Sequence, residues 1–190
     1  RTTLNGEGLQ HEDGHSQVQA GLIPNCRSYD PSFGYEVVVI LQHGMQRMLT
    51  EQVDEYYYLT LLNENYTHPE MPEGSAENII KGMYLLKDAG KAKKGELRVQ
   101  LMGSGSILRE VIAAAELLDK DFGVSADLWS CPSCNELARD GIDVERWNRL
   151  NPEAKTPRKA HVTQLLEGRQ GPAIVATDYV RAYPEQIRAY

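Results

Sequence analysis

Leu97-Arg98-Val99-Gln100-Leu101-Met102-Gly103-Ser104-Gly105-Ser106-Ile107 decides the fold of this chain, because it runs from a strand pattern through a glycine-rich turn into a helix pattern. Leu97 to Met102 reads as a short strand, and from Ser106 onward Ile107, Val111, Ala115 and Leu118 recur on one helical face. The join Gly103–Ser106 has the look of a phosphate cradle, since glycines bare backbone N–H groups at a helix N-terminus. It lacks the third glycine of the dinucleotide fingerprint and the Lys-Ser/Thr of a P-loop, so a tight strand-to-helix turn is the favoured reading.

The same alternation continues outward. Downstream, Asp127 to Ser130 suggests a strand, Glu136 to Leu150 a helix, and Pro172 to Thr177 a final buried strand before a terminal helix. Upstream, a helix is expected over Ala76 to Leu86. Strands and helices alternating at these lengths mean an α/β fold with mainly parallel sheets and crossover helices. The stretch Asn63 to Gly74 holds two prolines and no periodicity, which marks a long connection and places a domain boundary near residue 74. Before it, Tyr56 to Leu62 reads as a strand covered on both faces. Asp30-Pro31 looks like a helix start, with Asp as N-cap and Pro at the first helical position. Phe33, Val37, Ile40, Leu41, Met45 and Met48 then form a core-facing stripe. Glu36 falls inside that run and must reach either solvent or a partner, since a lone buried carboxylate is costly.

Near the start stands His11-Glu12-Asp13-Gly14-His15, which spells the zinc-protease pattern. Zinc ligation by two His four residues apart needs a helical turn, with the Glu as general base. The flanking Asn5-Gly6-Glu7-Gly8 and the internal Gly14 oppose a helix, and no apolar stripe runs through the segment. A polar loop is the better reading.

The 190 residues suffice for a real core in one or two compact units. A net charge of -7, from 27 acidic against 20 basic residues, disfavours nucleic acid as a partner. The single basic run, Lys91 to Lys94, reads as a solvated loop. No apolar run approaches the ~18 residues of a membrane span. A chain that opens at Arg1 in a glycine-rich loop suggests a piece of something longer. Three cysteines, Cys26, Cys131 and Cys134, cannot all pair within one chain and fit a reducing compartment, with the cytoplasm as the default. Cys131-Pro132-Ser133-Cys134 has redox-motif spacing, but a lone CxxC is weak evidence.

Longer motifs carry a resemblance. Leu4-Asn5-Gly6-Glu7-Gly8-Leu9-Gln10-His11-Glu12-Asp13-Gly14-His15-Ser16, Ile23-Pro24-Asn25, Tyr56 to Tyr66 ending in Leu62-Asn63-Glu64-Asn65-Tyr66, and Met71-Pro72-Glu73-Gly74 belong to it. So do Gly103 to Arg109, Glu136 to Gly141, Glu145-Arg146-Trp147-Asn148 and Thr177-Asp178-Tyr179. Together they resemble the homodimeric pyruvate dehydrogenases, the thiamine-diphosphate-dependent first component of the bacterial pyruvate dehydrogenase complex, with transketolase as the wider relative. The resemblance implies a transketolase-like chain several times longer. Residues 1–74 would be the end of its pyrimidine-binding domain plus a linker, and residues 75–190 an incomplete C-terminal α/β domain that supports the dimer. It implies that pyruvate is decarboxylated on thiamine diphosphate and the two-carbon unit passed to a lipoyl group on the partner dihydrolipoyl acetyltransferase. His15 would then face the substrate end of the cofactor, with Glu12 and Asp13 orienting the imidazoles and His11 behind it. Histidine suits a site that holds an anion and moves protons near neutral pH.

The Gly-Asp-Gly and Asn that hold Mg2+ and the diphosphate, and the glutamate that activates the aminopyrimidine, are absent from these residues. The fragment alone is therefore expected to be inactive. The CxxC departs from the family pattern, and no role is carried onto it. Two other readings stand beside this one: a zinc-dependent hydrolase using His11, Glu12 and His15 with Glu36 as third ligand, and a non-catalytic α/β interaction module.

Overall fold

The computed structural model describes residues 12–91 and 94–190. His11 and the glycine-rich flank before it lie outside the described residues, as do Ala92 and Lys93 of the basic run. Helix α1 (Ser16–Gly21) leads to strand β1 (Cys26–Tyr29), then helix α2 (Gly34–Met45), a π-helical turn over Gln46–Thr50, and strand β2 (Tyr56–Leu59). After the long connection come α3 (Ala76–Lys81), β3 (Tyr84–Lys87), β4 (Leu97–Gly103), α4 (Ile107–Phe122) and β5 (Val124–Ser130). The chain then runs through α5 (Cys134–Leu150), α6 (His161–Leu166), β6 (Ala173–Ala176) and α7 (Ala182–Glu185).

The strands form two sheets. β1 and β2 pair in parallel, Cys26 opposite Tyr56 and Tyr29 opposite Leu59. The larger sheet has the order β3-β5-β4-β6, with β4 parallel to both neighbours and β3 antiparallel to β5. Alternation along β4 and β5 sends Val99, Leu101 and Leu128 to one face, where Leu108 and Val111 of α4 cover them. Met102 and Trp129 go to the other face, beneath Leu137 and Ala138 of α5, Val162 of α6 and Tyr183 of α7. This is the two-sided burial that parallel strands require.

The mainly parallel α/β reading agrees with the structure, and four local expectations are corrected. The single helix expected over Ala76 to Leu86 is a helix and a strand, because Gly82 adopts a left-handed φ of 100° and ends α3. A Cβ there would lie 2.4 Å from the Ser133 carbonyl, so the close backbone approach also demands glycine. Helix α2 begins at Gly34 rather than at Asp30-Pro31, because the Glu36 carboxylate reaches back to accept from the Ser32 N–H at 2.5 Å and the Phe33 N–H at 3.2 Å. Along the expected α2 stripe, Leu41 and Met45 are exposed while Ile40 is fully buried. The strand expected over Tyr56 to Leu62 stops at Leu59 and is only half-covered, with Tyr56 43% exposed.

Candidate functional site

The loop that carries His15 is fixed by its own residues. The Asp13 carboxylate accepts from the His15 N–H at 3.0 Å, the Ser16 N–H at 2.9 Å and the Ser16 hydroxyl, capping the start of α1 from outside. His15 itself has φ -125°, outside the helical region, and its side chain is exposed. Glu12 is exposed beside it. The Gly14 carbonyl accepts from the Val180 N–H at 2.9 Å, so the loop is docked on the C-terminal segment as well as on α1. Glu12, Asp13 and His15 therefore stand together at a junction between the two halves of the chain.

This geometry does not favour the zinc reading. The i,i+4 ligand pair needs helix, and residues 12–15 are not helical. Glu36, its third ligand, is fully buried and engaged elsewhere. Besides the two backbone N–H groups, its carboxylate accepts from the Tyr84 and Ser130 hydroxyls, both at 2.6 Å. Burial pushes its pKa up, and those four donors only partly offset the shift. The alternative of a solvent-exposed Glu36 falls with the same observation. Among the described residues no group of three or more His, Cys, Asp or Glu side chains is arranged to hold a metal ion.

Behind the loop lies a polar seam that the sequence reading did not identify. The C-terminal ends of β1, β2, β4 and β6 converge there on Asp30, which is fully buried. Its carboxylate accepts from the Thr60 hydroxyl at 2.5 Å and the Ser104 hydroxyl at 2.9 Å, while its carbonyl accepts from the Gly105 N–H at 3.1 Å. Ser104 also contacts the Thr177 hydroxyl at 3.2 Å, and Tyr179 donates to Thr60 at 3.3 Å. Next to it, the Gln17 amide donates to the Tyr29 carbonyl at 3.0 Å, and Asn135 donates to the Gln17 carbonyl at 2.7 Å. Hydroxyl and carboxyl residues placed one step beyond four strands were the available signal.

Asp30 also settles the phosphate-cradle question. Gly105 has φ 51°, and a Cβ on it would lie 2.5 Å from the Asp30 carboxylate. The Asp30 carbonyl takes the Gly105 N–H while its carboxylate packs against the turn, so the chain's own aspartate fills the approach to α4. The glycine-rich join is a strand-to-helix turn closed by Asp30.

A cleft of about 330 Å³ opens on the far side of the seam, lined among others by Arg27, Arg47, Glu55, Glu136 and Arg139. Arg27 bridges Glu55 at 3.2 Å and Glu136 at 2.8 Å, joining β1 to α5. Burial raises the Glu136 pKa against the opposing pull of Arg27 and Arg139. At Glu55 burial acts in the same direction, but hydrogen bonds from Arg47, Tyr57 and Arg27 outweigh it and hold the carboxyl below its ordinary value. Burial and the nearby Arg47 lower the pKa of His43. Cations and carboxylates balance in this cleft, so it works as an ion-pair clasp between the halves.

For thiamine diphosphate the fit is partial. The one cradle-like turn is filled by Asp30, and the described residues offer no Mg2+ ligand set. The exposed imidazole of His15 remains open to a bound molecule.

Comparison with known proteins identifies the lineage. The model for the pyruvate dehydrogenase E1 component middle domain matches residues 1–69, and that for the transketolase-like TK C-terminal domain matches residues 82–190. The pyruvate dehydrogenase E1 component of Cupriavidus necator is 60% identical over 190 residues, covering 100% of this chain and 21% of its own length. The Pseudomonas aeruginosa protein of the same name is 58% identical with the same coverage, and that of Escherichia coli K12 is 55% identical over 191 residues. The chain thus spans 21% of the length of the curated relatives it matches. A solved transketolase from Pichia Stipitis in complex with sedoheptulose-7-phosphate aligns with a TM-score of 0.48 and 21% identity, over 66% of this chain and 17% of that one. With its model matched over more than half of the chain, the chain belongs to the transketolase-like TK C-terminal domain family, and along its whole length it is similar to pyruvate dehydrogenase E1 components.

Proposed function

We propose that this chain is the part of a pyruvate dehydrogenase that presents His15 to pyruvate. The complete enzyme would decarboxylate pyruvate on thiamine diphosphate with Mg2+ and pass the two-carbon unit to the lipoyl domain of a dihydrolipoyl acetyltransferase, as a homodimer in the cytoplasm. On this reading residues 1–74 end the pyrimidine-binding domain and residues 75–190 belong to the C-terminal domain. Thiamine diphosphate, when bound, would supply the carbon nucleophile and the electron sink. Its diphosphate and metal anchors would come from outside these residues, so the chain alone would not catalyse.

The observation that carries the reading is the fixed, outward-facing His15. Asp13 holds its backbone N–H, Gly14 ties the loop to Val180, and the imidazole is left exposed at the junction. From there the ring can donate a hydrogen bond to a carboxylate or oxyanion. Asp13 would act by setting the loop conformation, and Glu12 by tuning the local charge. His11, outside the described residues, is proposed to stand behind His15.

In the full-length enzyme, His15→Ala is expected to lower kcat by about 10²–10⁴-fold, the usual worth of a positioned acid-base group, with the thermal midpoint unchanged. Full activity in that variant would remove His15 from the site.

A further inference from the structure

The proposed function makes no use of Cys131-Pro132-Ser133-Cys134, yet this is one of the most firmly held turns in the molecule. The Cys131 N–H donates to the Gly103 carbonyl at 2.8 Å, and the Pro132 carbonyl accepts from the Asp30 N–H at 2.7 Å. The Ser133 N–H donates to the Gly82 carbonyl at 3.2 Å, and its hydroxyl donates to the Ser28 carbonyl at 2.6 Å. Ser133 is the N-cap of α5, its oxygen accepting from the Glu136 N–H at 3.0 Å. Four neighbouring elements therefore set the backbone on which both thiols stand. The two sulfur atoms lie 3.8 Å apart, both cysteines are unpaired, and each is 1% exposed.

One short segment shares the core cluster that encloses the pair. Tyr179, Tyr183 and Ile187 pack over it, with the Tyr179 and Tyr183 rings edge to face at 5.1 Å. The Tyr183 hydroxyl accepts from the Cys134 N–H at 3.2 Å. The segment carrying these rings contains only the four-residue helix α7, too short to be stable by itself. Its hydrogen bonds to the rest of the molecule include Tyr179 to Thr60 at 3.3 Å, Val180 to the Gly14 carbonyl and Gln186 to Asn135 at 2.7 Å. A segment with so little regular secondary structure can open locally, below the free energy of global unfolding.

We propose that Cys131 and Cys134 form a dithiol modification site, which a hydroperoxide converts to an intramolecular disulfide when the segment from Tyr179 to Tyr190 lifts. The interaction with Cys131, and then burial, push the Cys134 thiol well above its ordinary value, which leaves the first attack to Cys131. The Cys131 sulfur, as thiolate, attacks the peroxide, forming an S–O bond and breaking the O–O bond. The products are a sulfenic acid and, after protonation, water or an alcohol. The Cys134 sulfur then attacks the sulfenic sulfur, the S–S bond forms, the S–O bond breaks, and water leaves. Two thiols lose two protons and two electrons, and the hydroperoxide takes up both. Closing the bond brings the sulfurs from 3.8 Å to about 2.0 Å, a side-chain movement within the turn.

The experiment exposes the full-length reduced protein to hydrogen peroxide, blocks remaining thiols with an alkylating agent, and maps the peptides by mass. The expected peptide spanning Cys131 and Cys134 is lighter by two hydrogens, resists alkylation, and is restored by a dithiol reductant. Tyr183→Phe, which removes the acceptor of the Cys134 N–H, should form it several-fold faster, and Cys131→Ser should leave Cys134 as a thiol. Full alkylation of both cysteines after the exposed Met71 has oxidised would overturn the site. So would sulfinic acid in place of the disulfide. An unchanged rate in Tyr183→Phe would overturn the lifting route, and rapid oxidation of Cys134 in Cys131→Ser would overturn the order of attack.

Discussion

In the larger sheet, Val99, Leu101, Met102, Leu128 and Trp129 are buried from both sides by helices, whereas in the β1–β2 pair Tyr56 is 43% exposed and Leu61 just beyond it 64%. The first sheet is held by apolar burial, which is additive over area and indifferent to direction. The second adds to its apolar cluster of Tyr29, Ile40, Tyr57 and Leu59 a directional polar seam: Asp30, Gln17 and Glu36 reach across it, and Arg27 clasps it from outside. Among the described residues the small sheet has two strands, a marginal structure by itself in water, and these bonds tie it to the large one.

That asymmetry can be broken or sharpened experimentally. The largest effect is expected from Leu108→Ala, a fully buried residue between α4 and the large sheet, at roughly 2–5 kcal/mol of global stability. Urea unfolding should show both sheets lost in one transition. Separate transitions would mean that the small sheet stands by itself.

Asp30→Ala comes next, at roughly 1–3 kcal/mol, because it removes the nearest acceptor of the buried Thr60 and Ser104 hydroxyls and leaves only their longer contacts. Hydrogen exchange should quicken in β1 and β2 before β4 and β5. Equal quickening in all four strands would place Asp30 in the common core instead.

A smaller effect depends on pH. Burial raises the folded-state pKa of Glu36 above its unfolded value of about 4.3, so its contribution is fully present below that pH and is lost as pH rises through the folded value. Glu36→Gln keeps the neutral form. Its stability relative to the native chain should therefore improve as pH rises, and a difference that stays flat with pH would show Glu36 unperturbed.

Arg109→Ala tests the rim, where the guanidinium meets Glu64 at 2.9 Å and lies 4.6 Å from the centre of the Tyr66 ring. Both charged groups are exposed, and the expected loss is under about 1 kcal/mol in a thermal melt. A larger loss would show the long connection to be part of the core.

Much of the larger sheet was legible in the sequence because its signals are local. The stripe Ile107, Val111, Ala115 and Leu118 did mark α4, and the run from Leu97 to Met102 did mark β4. Strand β3 was missed because Ile79, Ile80, Leu85 and Leu86 read as one continuous apolar run, and only the left-handed Gly82 divides it. Asp30 was read as a cap from its neighbour Pro31, although its partners Thr60 and Ser104 are far away in sequence. The loop character of residues 12–15 was legible from Gly14, but its docking on Val180 was not, since a backbone hydrogen bond leaves no mark on side-chain pattern.

The carboxylate of Asp30 can be seen finally as a ligand that the protein carries with it. A free phosphate or carboxylate would have to reach the start of α4 by diffusion and compete with a group that tethering keeps at a high effective concentration. Selectivity at that turn is therefore decided by connectivity rather than by affinity. A glycine-rich turn in this setting reports where an anion could bind only after the nearest acidic side chain has been accounted for.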